Sequence, residues 1–94
     1  MAWNTFPKKD AYELQRFVDR KEYLRAYMKM KECYKLLHEI SPDKFDEINL
    51  DESIQEVNNA IDTFKYKDHE FKAVYDNFIN WCDECRLIIP VKVL

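Results

Sequence analysis

Cysteine is the first residue type in this chain that could do chemistry. Cys82-Asp-Glu-Cys85 has the two-residue spacing shared by redox dithiols and by half of a zinc site. A redox pair needs its first thiol at a helix N-terminus, where the dipole lowers the thiol pKa. Here both cysteines fall deep inside an amphipathic run, on its apolar side. A structural zinc takes four ligands, and only Cys33, His38 and His69 remain to complete the set. Cys33 and His38 are five apart, so on a helix they point about 140° away from each other. The expectation is small, buried, apolar cysteines with no bound metal and no cofactor.

Carboxylates and histidines come next. Asp43, Asp46, Glu47, Asp51, Glu52, Glu56 and Asp62 form a dense acidic stretch. General acid–base work needs a carboxylate in a dry pocket with a shifted pKa, and nothing in this stretch suggests a pocket. A solvated face is expected, with engagement of a basic partner or mimicry of nucleic-acid charge as the alternative. His38 and His69 stand apart from any serine or thiol at a recognisable spacing. The chain is therefore read as a non-enzyme with no catalytic residues.

The third group is basic. Arg20, Lys21, Arg25, Lys29, Lys31 and Lys35 gather on one side of the segment 20–40, interrupted by Leu24, Met28 and Leu36. Cations on a helix can track a phosphate backbone, each contact adding to a salt-dependent affinity. No helix-turn-helix pattern accompanies them, and the net charge is −3. Apolar anchors ringed by charge are how protein interfaces combine burial with specificity. The expected partner-binding set is Leu24, Met28, Arg20, Lys21, Arg25, Lys31 and Lys35, and the expected partner is a protein. Nucleic-acid binding by the same basic face is the alternative.

Elements must position these groups, and composition restricts which elements are available. Ninety-four residues make one domain near the small end of what buries its own core. Aromatic residues at 15% compensate in part, while the limited core leaves room for a homodimer. There is no glycine. Tight hairpins of the primed types and glycine-rich phosphate loops are thereby disfavoured, which points to helices joined by Asn, Asp, Ser and Pro. Residues 1–37 hold nine Lys/Arg against five Asp/Glu, and 38–94 hold six against thirteen, so two faces of opposite sign are expected. No segment is apolar enough to span a membrane, the opening residues lack a signal-peptide pattern, and three cysteines do not suggest a disulfide framework. These features fit a cytoplasmic, reduced protein.

The organising element is a helix expected over 68–89, capped by Asp68 and stopped by Pro90. Phe71, Val74, Tyr75, Phe78, Trp81, Cys82, Cys85, Ile88 and Ile89 span an arc of roughly 140° on it, wide enough for two neighbours. Residues 1–9 read as an irregular lead-in anchored by Trp3 and Phe6. Asp10 and Glu13 have capping-box spacing, as do Asp19 and Glu22, which predicts a short helix at 11–18 and another from about 20 to 40. A single helix over 10–40 is the alternative. Ser41-Pro42-Asp43 opens a short turn of helix through Phe45 and Ile48. A third main helix, about 51–66, carries a narrow stripe of Leu50, Ile54, Val57, Ile61 and Phe64. Residues 90–94 read as an extended tail. The fold class is all-α: a compact antiparallel bundle of three main helices plus one or two short ones. Small helical proteins of this build serve phages and bacteria as inhibitors, immunity proteins and adaptors, an analogy at the level of the fold.

Overall fold

The helical periodicity of the apolar residues is realised in the computed structural model, which describes residues 4–40, 50–85 and 87–88. Four helices run through these residues: α1 (Lys8–Asp19), α2 (Tyr23–Ile40), α3 (Leu50–Asp62) and α4 (Asp68–Glu84). They pack as an all-α bundle, with α2, α3 and α4 as the main helices and α1 as the short one.

A seam of aromatic rings joins α2 to α4. Tyr23 stacks on Phe71 at 4.5 Å, and Tyr34 meets Phe78 and Trp81 edge-on at 5.4 and 5.5 Å. The contacts advance together along both helices, so α2 and α4 run parallel. α3 lies antiparallel to α4, and Glu56 meets Asn77 across that pair. On α2, Ala26, Tyr27, Met30, Cys33 and Tyr34 are all removed from water. On α4, Phe71, Val74, Tyr75, Phe78, Cys82 and Cys85 are buried, with Trp81 half-buried. Among the described side chains of α3, Val57 of the expected stripe is fully buried together with Ala60, which the stripe did not include, while Ile54 and Ile61 are partly buried.

Both helix hairpins turn without glycine. After α1, Lys21 adopts φ 57°, and the Lys21 and Glu22 N–H groups donate to Val18 and Phe17. After α3, Phe64 adopts φ 56°, with Phe64 and Lys65 N–H groups donating to Ile61 and Ala60. These are Schellman closures, which glycine ordinarily serves because a Cβ makes left-handed backbone unfavourable. A chain with no glycine has to place larger side chains there.

The structure corrects several boundaries. α1 starts at Lys8, and Asp10 and Glu13 do not form a capping box; their carboxylates reach across to Lys29 instead. α2 begins at Tyr23, with Glu22 accepting its first backbone bond from Ala26, so Arg20 and Lys21 belong to the turn. α3 ends at Asp62, and Phe64 leaves the stripe to stand 75% exposed. α4 ends at Glu84 rather than 89, with Cys85 as its C-cap. The chain then pairs Leu87–Ile88 (β2) in parallel with Asn4–Thr5 (β1), so Ile88 is a strand residue and the lead-in is not irregular throughout. That pairing satisfies backbone groups of both segments, an alternative to continuing the helix to Pro90. Asp68 is the first residue of α4 and not its cap. Its carboxylate accepts from the Tyr23 hydroxyl and the Lys21 ammonium, tying the start of α4 to the start of α2. The predicted turn through Phe45 and Ile48 and the tail at 90–94 lie outside the described residues.

Candidate functional site

The two tight turns meet at one end of the bundle. The Tyr27 hydroxyl donates to the Lys65 carbonyl and Lys21 pairs with Asp68 at 3.3 Å, which holds the α1–α2 turn against the α3–α4 turn. Burial pushes the Tyr27 hydroxyl up to about 12, and the hydrogen bond to Asp68 does the same for Tyr23. Tyr23 and Lys21 in turn keep the Asp68 carboxyl below its ordinary range.

Between these turns lies an open concavity of about 400 Å³ lined by Lys21, Glu22, Tyr23, Leu24, Arg25 and Tyr66. Phe64 stands edge-on to Tyr66 at 5.9 Å, extending the apolar surface toward solvent. Leu24 is 46% exposed and Met28, one turn along α2, is 56% exposed. At 100° per residue Leu24, Met28, Lys31 and Lys35 fall within about 60°, one stripe along the outer side of α2. Arg20 sits at the C-cap of α1, exposed. Lys21 and Arg25 face Asp68 and Glu22 at 3.3 and 3.6 Å in exposed pairs, which contribute little to stability and exchange readily for other carboxylates. Of the predicted set, the structure brings Lys21, Leu24 and Arg25 to one concavity, while Met28, Lys31 and Lys35 lie outside it, along α2 on the same side as Leu24. Tyr23, Phe64 and Tyr66 are the members that sequence pattern alone missed.

Lys29 is the misplaced cation. It is 8% exposed and lies 2.8 Å from both Asp10 and Glu13 on α1, and 3.3 Å from Glu32. Burial by itself would lower the pKa of its ammonium, but hydrogen bonds to the three carboxylates outweigh that and raise it. The same contact holds the Glu13 carboxyl below its ordinary value. The spacing contained the signal: in a helix hairpin centred on Lys21, Glu13 falls opposite Lys29. With Arg20 and Lys21 in the turn and Lys29 buried, the exposed side of α2 keeps Arg25, Lys31 and Lys35 of the six cations expected there.

No protein-family model matches this sequence, and no curated protein and no solved structure is significantly similar to it.

The cysteines lie elsewhere, in the core. Cys33, Cys82 and Cys85 are buried and none forms a disulfide. Burial pushes the Cys33 thiol up to about 12 and raises that of Cys82 as well, opposite to the activation a nucleophilic thiol requires. Among the described residues no group of three or more His, Cys, Asp or Glu side chains is placed to hold a metal ion. No helix among them is long and apolar enough to cross a membrane.

Proposed function

We propose that this chain is a small non-enzymatic binding protein, of the inhibitor, immunity-protein or adaptor kind, that acts by occupying a surface of a protein partner. The observation that carries this reading is the exposure of Leu24 and Met28 beside an aromatic concavity that Lys21 and Arg25 also line, with Lys31 and Lys35 further along the same side of α2 and Arg20 in the adjoining turn. Apolar anchors of this kind supply most interface energy, while surrounding charges steer and select the partner. Withdrawal of Lys29 into an internal ion cluster, and the pairing of Lys21 and Arg25 with neighbouring carboxylates, weaken the same face as a phosphate track. A cytoplasmic setting suits three unbridged cysteines. The exposed apolar stripe also suits a homodimer, which sedimentation at tens of micromolar tests.

Binding of mixed-sequence DNA and RNA across a salt series separates protein from nucleic acid as the partner. The expected result is no binding at low salt. Micromolar or tighter affinity with a steep salt slope would replace the protein reading with the nucleic-acid one.

A further inference from the structure

A second concavity, of about 560 Å³, runs between the outer flanks of α3 and α4. Glu52, Glu56 and Asn59 line it from successive turns of α3, and Asn77 and Trp81 from one turn of α4. The Asn77 amide donates to Glu56 at 2.8 Å, fixing that carboxylate against the groove while leaving lone pairs for further donors. Trp81 is half-buried and contributes a ring with an electron-rich face. The surrounding field is strongly negative: residues 50–85 hold nine Asp/Glu and three Lys/Arg. Lys65, at the lining, is the one cation among the groove residues.

We propose that this groove binds an organic cation, a guanidinium or alkylammonium group carried on a flexible chain. Oriented carboxylate, amide oxygens and an indole face are the complement of such a group, which takes charge-assisted hydrogen bonds at its edge and a cation–π contact on its plane. An independent observation lies behind Trp81. Tyr34 is completely buried and packs edge-on against the indole, and its hydroxyl has no hydrogen-bond partner. A buried polar group left in that state is costly and calls for an explanation. Tyr34 is not among the groove's lining residues, but burial first and the Glu56 carboxylate second raise its pKa, which places this hydroxyl beneath the groove and near the same carboxylate. The site is separate from the α2 stripe, whose residues line none of it.

The test follows the two indole N–H resonances of the full chain by NMR, with Trp3→Phe assigning Trp81. Two probes carry the shared chemistry: spermidine, and a hexapeptide with one central arginine. The same hexapeptide with citrulline replacing arginine is the neutral control. Saturable displacement of the Trp81 resonance by either cationic probe is expected, at least tenfold weaker with Glu56→Gln, which keeps the acceptor for Asn77 but removes the charge. Response to spermidine alone assigns the groove to free polyamines, and response to the arginine peptide alone to a basic protein segment. Equal affinity for the citrulline peptide, an unchanged affinity in Glu56→Gln, or no saturable displacement would overturn the proposal. The Glu56→Gln fold is checked by the unchanged shifts of the α1 and α2 amides.

Discussion

Lys29 and Phe64 are the two side chains whose surroundings differ most from what their sequence neighbours suggest. Lys29 holds α1 against α2 through Asp10 and Glu13, carboxylates that are themselves 21% and 31% exposed. Breaking a fully buried ion pair costs ~3–5 kcal/mol, and partial solvation of the carboxylates discounts that here. Lys29→Met should lower stability by about 2–3 kcal/mol in a denaturant titration, against under ~0.5 kcal/mol for exposed Lys35→Met. Phe64 works in the opposite sense. It spends left-handed backbone on an aromatic ring that is 75% exposed, a combination that brings the fold little. Phe64→Gly should raise stability by ~0.5–1 kcal/mol while weakening partner binding, because Gly takes up the same backbone without strain. Loss of stability in that variant would show that the ring supports the fold after all.

At the scale of elements, the helical periods were readable because large apolar residues recur at helical spacing on α2 and α4. The break between α1 and α2 was readable too, from two capping-box spacings nine residues apart, although the carboxylates of the first serve Lys29. What the sequence hid were endings. The start of α1 and the stops of α3 and α4 depend on Schellman closures and on a two-residue strand pair joining distant parts of the chain, which local patterning does not record. The concavity was only half readable: Leu24 and Met28 break a charged face, but Phe64 and Tyr66 arrive from a turn with no period. The α2–α4 seam carries two predictions. Phe78, 1% exposed between Phe6 and Tyr34, should cost ~3–5 kcal/mol on replacement by Ala. The tethers at its end, and the Glu13–Lys29 tether between α1 and α2, titrate. Glu13 and Asp68 have folded pKa values below their ordinary ones, so their contribution is present above about pH 4.5 and is lost as pH falls through the lowered values. Tyr23 and Tyr27 are raised from 10 to about 12, so theirs is present below pH 10 and is lost as pH rises toward 12. Denaturant midpoints measured from pH 2 to 12 should form a plateau that declines at both ends. Tyr23→Phe should flatten part of the alkaline decline.

Over the whole molecule, charge is divided as its sequence halves suggest, with a mixed basic and apolar stripe along α2 and an acidic α3–α4 hairpin. Pairing of opposite charge across the α1–α2 hairpin takes Lys29 out of the exposed face of α2, where Leu24 and Met28 remain in contact with water. The decisive measurement is the dissociation constant of the protein partner crosslinked in the native host, determined for Leu24→Asp, Met28→Asp, Lys31→Ala and Lys35→Ala in otherwise intact chains. Either Asp substitution should weaken binding at least a hundredfold, and each lysine substitution less than about fivefold, the equivalent of ~1 kcal/mol at a rim charge. The reverse order, with the lysines dominant and the Asp variants binding as well as the wild type, would contradict the assignment of this face to a protein partner.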